Sequence, residues 1–243
     1  HPMPYGDLVK QRVQRFATFD DLTAADVTIG EREEYERYVA TGTIIYAGVD
    51  YGAILEAAEA EADIILWDGG NNDLPFYQPD LHICVADSHR AGHGLSYWPG
   101  EANLRRADVV LINTCSIREH AEDKVFSVLG ELKRHKQANP DMLLGVTGCM
   151  AERLGSDIAR RAPYVDIVAG ARSFGEILDL AAAAKHGKGA VVSIGHDSPP
   201  PAMDVSVRTD PHRAFVAVSR GCDHRCTFCI VPATRGREKG RAM

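Results

Sequence analysis

Short apolar runs alternate with amphipathic stretches along most of the chain. Thr43–Val49, Asp63–Trp67, Leu81–Ala86, Asp108–Ile112, Leu143–Thr147, Val165–Ala169 and Ala190–Ile194 read as buried strands. Between them, Tyr51–Glu61, Arg118–Gln137, Ala151–Arg161 and Ser173–Lys185 carry helical spacing, and Gly187 is placed to cap the last of these. The alternation predicts an α/β fold: an open, mostly parallel sheet with helices on both faces, Rossmann-like in plan. His196–His212, with Pro199, Pro200 and Pro201 among scattered polar residues, breaks the rhythm and reads as a linker. Beyond it, Ala214–Ser219 is a strand that leads straight into a cysteine cluster.

Composition narrows the class without naming a function. With 45% hydrophobic and 25% charged residues, the chain has ordinary globular content rather than that of a disordered segment. No run approaches the ~18 apolar residues of a membrane span, and the first residues lack a basic-then-apolar leader. Starting at His1 rather than Met, the sequence reads as a fragment whose start lies upstream. Six cysteines in a chain without a leader point to a reducing, cytoplasmic setting and to metal ligation or catalysis rather than a disulfide scaffold. The net charge of −7 is unevenly spread: residues 1–112 hold 8 basic and 19 acidic side chains, residues 113–243 hold 19 and 15. The two ends are therefore expected to meet different partners, or simply to be differently solvated.

The chemistry concentrates near the C-terminus, in Arg220-Gly-Cys222-Asp-His-Arg-Cys226-Thr-Phe-Cys229. Three thiolates at C-x3-C-x2-C on a loop after a strand can face one point. They would hold a four-iron cluster and leave its fourth iron open to a chelating substrate. A zinc site with His224 as fourth ligand is the rival, and chance clustering the bland alternative. A second pattern occurs twice upstream. Cys115 follows the strand Asp108–Ile112 and precedes Ser116-x-x-Glu119, a capping-box pattern; Cys149 likewise stands between the strand ending in Thr147 and the next helix. Both would lie at the carboxyl edge of the sheet, where helix N-termini favour thiolates, although such cysteines are also often inert.

The Cys222–Cys229 spacing, with Phe228 immediately before the third cysteine, resembles the radical S-adenosylmethionine (SAM) superfamily. That likeness implies SAM on the open iron with Phe228 near its adenine. More closely, residues 107–243 resemble the tRNA methylthiotransferases that make 2-methylthio-N6-isopentenyladenosine. INTCSIREHAEDKVFSVLGELK, GVTGCMAER, APYVDIVAG and GCDHRCTFCIVPATRGRE carry the likeness. It implies a transferase acting on tRNA next to the anticodon, with two 4Fe-4S clusters. Cys222, Cys226 and Cys229 would hold the SAM cluster, Cys115 and Cys149 an auxiliary one. It also implies an electron donor such as a flavodoxin or ferredoxin, and a monomer with no membrane partner. The family's first auxiliary cysteine, in a Gly-Cys-x-x-Asn loop, has no counterpart here; Cys84 is the spare cysteine, on a strand without that motif. Ala233 replaces the usual aromatic of the VP-x-TRGR stretch.

Residues 1–112 resemble a different family, the cyclic 2,3-diphosphoglycerate synthetases, through HPMPYGDLVKQRVQRFAT, EREEYERYV, YAGVDYGAILEAAEAEADIILWDGGNNDLPFYQPDL and HRAGHGLSYWPGEANLR. The likeness implies ATP and Mg²⁺. Ile64–Trp67 followed by Asp68-Gly-Gly-Asn-Asn-Asp73 suits a strand ending in a magnesium site with Asp68 as ligand, and equally an ordinary turn. His1, His89, Arg90 and His93 could face phosphates or be surface residues. The phosphate-cradling Gly-rich loop is missing from the chain. The expected layout is a synthetase-like α/β segment over 1–112 and a methylthiotransferase-like α/β region over 107–195. A linker over 196–212 and the truncated start of a radical SAM barrel over 213–243 complete it. The two resemblances meet at Ala107–Asn113, ADVVLIN, which both families can write. Two incomplete ligand sets joined there point to a chimeric reading frame with little activity of its own.

Overall fold

Thr18 and Thr28 set the first two helices. Each threonine accepts the amide three residues on (Asp21, Glu31), while that residue's carboxylate accepts the cap's own amide, a full capping box. The computed structural model that shows this describes residues 7–25, 27–70, 73–87, 96–116, 119–187, 189–195, 216 and 218–240. The chain forms two compact units.

The first unit holds β1 (Gln14–Phe16), α1 (Phe19–Ala24), α2 (Ile29–Val39), β2 (Ile45–Ala47) and α3 (Tyr51–Glu59). β1 and β2 pair antiparallel, Phe16 opposite Ile45. Phe16, Leu22, Tyr35, Val39 and Ala47 form the core, with the Phe16 and Tyr35 rings stacked at 5.3 Å. Two expectations are corrected here. Thr43–Val49 contains a strand, but it pairs antiparallel in a two-stranded ribbon rather than joining a parallel sheet. Asp63–Trp67 is not a strand: Ile64 is 79% and Leu66 83% exposed. An apolar run becomes a buried strand only when a ladder partner and covering layers exist, and none of the described elements offers them to it.

The second unit is built on five parallel strands: β3 (Ile83–Asp87), β4 (Val109–Thr114), β5 (Leu143–Gly148), β6 (Ile167–Ala169) and β7 (Val191–Ser193), side by side in chain order. Flanking them are α4 (Gly100–Arg106), α5 (Glu119–Ala138), α6 (Cys149–Leu154), α7 (Ser156–Arg161) and, after a 3-10 turn at Ser173–Glu176, α8 (Ile177–His186). Val110, Ile112, Leu144, Val146 and Val168 alternate onto one face and pack with Leu104 of α4, Val125, Leu129 and Leu132 of α5, Met150 of α6 and Ile158 of α7. α8 lies against β5, β6 and β7.

The parallel α/β prediction therefore holds for this unit. β3 and β4 join the two halves read as different families in one ladder, Ile83 opposite Val109 and Asp87 opposite Asn113. The helix expected over Ala151–Arg161 is two short ones, broken at Gly155, whose φ is +48°. Gly187 caps α8, though in an extended conformation. The 196–212 linker lies outside the described residues. Of the strand expected over Ala214–Ser219, the described residues 216 and 218 lie outside any strand and only Ser219 is in one, β8 (Ser219–Arg220), paired antiparallel with β9 (Lys239–Gly240) around α9 (Val231–Arg235). Among the described residues of 213–243 this hairpin is formed and the expected start of a barrel is not. Among the described residues no helix is long and apolar enough to cross a membrane.

Candidate functional site

Parallel register brings the first two cysteines together. Thr114 and Gly148 are direct partners at the carboxyl ends of β4 and β5, and Cys115 and Cys149 are the residues that follow them. Thr114 Oγ1 donates to the Thr147 carbonyl at 2.6 Å, closing the two strand ends on each other. Gly148 has φ +97°, and a Cβ there would stand 2.4 Å from the Thr114 carbonyl oxygen; only glycine permits this approach. Both thiols are free and half-buried. The cap expected at Ser116 is not made: its Oγ is buried without a hydrogen-bond partner. One turn after Cys149, Glu152 is buried and accepts the Gly195 amide at 2.7 Å through Oε1, tying α6 to the end of β7.

The C-terminal cysteines sit on the loop between β8 and α9. Cys222 N–H donates to the Gly236 carbonyl at 3.1 Å, and Cys229 N–H to the Cys226 carbonyl at 3.1 Å, the latter closing a turn. Asp223 Oδ1 accepts the Glu238 amide at 3.0 Å, and this bond holds its carboxyl below the ordinary aspartate range. Cys222 and Cys229 are half-buried, Cys226 is exposed, and the Phe228 ring is 92% exposed. α9 packs on α6, the helix that Cys149 begins, and the buried Arg172 donates from Nη2 to the Arg235 carbonyl at 3.0 Å. The helix that follows the cysteine loop is thereby docked against the helix that starts at Cys149.

Among the described residues no three His, Cys, Asp or Glu side chains stand together as a metal-holding group. Sequence spacing thus places three thiols on one loop and two at one sheet edge, and His224 does not complete a set with them. The donor chemistry still fits a soft cluster: all five thiols are free, and none is locked in the core. Cys84 differs. It is packed in the core on β3, and burial pushes its thiol up to about 11.

Asp68 stands outside any strand and is largely exposed. Its Oδ2 accepts the Tyr38 hydroxyl and lies 3.7 Å from Arg37 Nη2. The strand-end geometry expected of a magnesium ligand is absent there. His1, His89, Arg90 and His93 lie outside the described residues. Sequence reasoning did not single out Glu152 and Arg172. Glu152 sits inside the quoted GCMAER string, but no sequence signal marks Arg172.

Residues 93–170 match the uncharacterized protein family UPF0004, a span that includes Cys115, Cys149 and β4 to β6. The chain is 45% identical over 152 residues to the tRNA-2-methylthio-N(6)-dimethylallyladenosine synthase of Sulfurihydrogenibium sp., covering 61% of this chain and 35% of that protein. The synthase of Rhodopirellula baltica is 40% identical over 177 residues, covering 67% and 36%. Arginine synthetase ArcE of Thermococcus kodakarensis is 68% identical over 113 residues, covering 46% and 25%. Both resemblances drawn from the sequence are thus met by curated relatives. The chain spans about a third of the length of the methylthio synthases it matches and a quarter of ArcE.

Proposed function

We propose that the second unit is the cluster-bearing part of a radical SAM tRNA methylthiotransferase. It would act in the 2-methylthiolation of N6-isopentenyladenosine, in the cytoplasm, with a flavodoxin or ferredoxin as electron donor. The observation that carries this reading is the C-x3-C-x2-C loop with three free thiols, in a chain 40–46% identical to synthases of that name. Cys222, Cys226 and Cys229 would hold a 4Fe-4S cluster with SAM on its open iron and the exposed Phe228 ring beside the adenine. Cys115 and Cys149 would belong to an auxiliary cluster. When bound, the first cluster supplies the electron for reductive cleavage of the SAM sulfonium. The chain's own residues hold the loop in place: the Cys222 amide is fixed to Gly236, Asp223 to Glu238, and Arg172 to the end of α9. In this reading residues 107–195 are the methylthiotransferase α/β region, 196–212 the linker and 213–243 the opening of the SAM domain.

Anaerobic reconstitution of the full chain with iron and sulfide tests it. A brown protein whose iron falls on Cys222→Ser supports the assignment. Absence of iron, or iron unchanged in a Cys222→Ser/Cys226→Ser/Cys229→Ser variant, removes it.

The ArcE match favours a second reading for residues 1–112, a nucleotide-dependent synthetase-like segment that binds ATP and Mg²⁺. Binding of Mg-ATP weakened by Asp68→Ala would support that reading, and undetectable binding would end it.

A further inference from the structure

We propose that Cys115 and Cys149 form a reversible dithiol–disulfide pair, a site of oxidation by low-molecular-weight disulfides such as oxidised glutathione. The inference shares with the proposed function only the placement of the two thiols at one sheet edge, and needs no cluster.

Three observations carry it. Thr114 and Gly148, the residues immediately before the cysteines, are direct partners in a parallel ladder. Neighbouring strands lie about 4.8 Å apart, within the roughly 4.4–6.8 Å of Cα separation a disulfide spans, and the two cysteines each extend by one residue from these adjoining strand ends. The strand ends are pressed together at that point, since Thr114 Oγ1 bonds the Thr147 carbonyl at 2.6 Å and the Gly148 backbone abuts the Thr114 carbonyl. Both thiols are free and half-buried in this structure, and no third His, Cys, Asp or Glu joins them in a metal-holding group among the described residues. Cys84, the other cysteine carried by the sheet, is sealed in the core and cannot compete.

The chemistry balances in two exchanges. The thiolate of one cysteine attacks the glutathione disulfide, forming a mixed disulfide and releasing one glutathione thiolate. The second cysteine's thiolate attacks the protein-side sulfur of that mixed disulfide, closing the Cys115–Cys149 bond and releasing the second glutathione. Two electrons pass from the cysteine sulfurs to the glutathione disulfide, and the two thiol protons leave with the released glutathiones. The closed bond withdraws both thiolates from any metal, so oxidation of this pair would switch ligation off until a thiol reductant restores it.

The test uses the full chain, iron-free, carrying Cys222→Ser, Cys226→Ser and Cys229→Ser, exposed to oxidised glutathione and mapped by peptide mass. The expected product is a Cys115–Cys149 linked peptide, reversed by dithiothreitol. Adding Cys149→Ser should leave Cys115 as a stable mixed disulfide, its adduct rising about tenfold because the resolving thiol is gone. Separate glutathione adducts on both cysteines, or two thiols that stay reduced while exposed to a small alkylating agent that labels them, would overturn the proposal. If the serine variant does not fold, the same map on the unsubstituted chain decides: a Cys115–Cys149 link supports the pair, and exclusive links within Cys222–Cys229 refute it. A reconstituted parent chain that holds no iron would sink the methylthiotransferase reading and leave this result standing.

Discussion

The guanidinium of Arg172, just past β6, donates to the main-chain carbonyl of Arg235, the last residue of α9, at 3.0 Å. Arg172 is only 7% exposed, so this charged hydrogen bond is made where water cannot easily replace it. It joins the carboxyl edge of the sheet to the element that directly follows the Cys222–Cys229 loop. α9 packs on α6, and this bond adds an anchor at its C-terminal end.

Arg172→Ala should therefore free the C-terminal hairpin without melting the sheet. A lost hydrogen bond from a charged, buried donor costs about 2 kcal/mol, which raises the open population of the hairpin about 30-fold. Alkylation of Cys222 and Cys229, half-buried in the closed hairpin, should accelerate accordingly, while Cys115 and Cys149 keep their rates and the melting temperature of the sheet stays within a few degrees. Arg172→Lys, which can still donate, should recover part of the protection. Equal acceleration at all four cysteines would show that the residue supports the whole unit rather than the hairpin.

How legible this was depended on whether the signal was local. The strands of the second unit could be read because each carries a run of apolar residues between stretches of helical spacing, and β4, β5 and β6 are buried on both faces in the structure. The cysteines could be read because ligand spacing is a sequence property. Asp63–Trp67 misled because its apolar run resembles a buried strand while burial is decided by what packs on it. The helices at Phe19–Ala24 and Ile29–Val39 escaped because α2 is mostly charged, with its buried stripe reduced to Tyr35 and Val39 beside a capping glutamate. Arg172 and Glu152 act through backbone groups 63 and 43 residues away, contacts that no local pattern encodes.

Gly148→Ala should be severely destabilising. At φ +97° and ψ −158° the backbone is in a region essentially reserved for glycine, and the added Cβ would meet the Thr114 carbonyl at 2.4 Å. Strain and clash together cost about 3 kcal/mol, lowering the melting temperature of the second unit by about 10 °C. Because relief requires the ends of β4 and β5 to part, the variant should also lose the Cys115–Cys149 cross-link on oxidation. An alanine variant as stable as the parent would mean that the two strand ends are not pressed together.

Lys136, near the end of α5, closes a second junction on the opposite edge of the sheet. Its Nζ donates to the Met142 carbonyl at 2.5 Å, the Pro140 carbonyl at 3.1 Å and the Asp166 carboxylate at 2.9 Å, and Asp166 Oδ2 in turn accepts the Leu144 amide at 2.7 Å. With side chains only 16% and 24% exposed, the pair is far less screened than a surface ion pair. Lys136→Met should cost about 2–3 kcal/mol in urea unfolding, since it strands the Asp166 charge and two carbonyls. In a double-mutant cycle, adding Asp166→Asn should cost much less on the Lys136→Met background than on the parent; additive losses would show that the two do not act as a unit.

Acid should loosen the first unit through Glu61. Arg15 grips this carboxylate with two bonds, Nε to Oε1 at 2.6 Å and Nη2 to Oε2 at 2.7 Å, and the Tyr46 hydroxyl donates to it as well. The Arg15 hydrogen bonds, then that of Tyr46, pull the Glu61 carboxyl down to about 2, whereas in the unfolded chain it titrates near the ordinary ~4.3. The folded form therefore holds its proton less tightly than the unfolded one. The stabilisation is fully present above about pH 4.3 and is lost progressively as pH falls toward 2. Hydrogen exchange of the amides in Gln14–Phe16 should accelerate across that window in the parent, beyond the chemical pH dependence. In Glu61→Gln, which keeps the shape but carries no titrating charge, protection should be lower at neutral pH and its change across the same window smaller. Identical pH profiles for the two proteins would show that the Arg15–Glu61–Tyr46 contact does not support the ribbon.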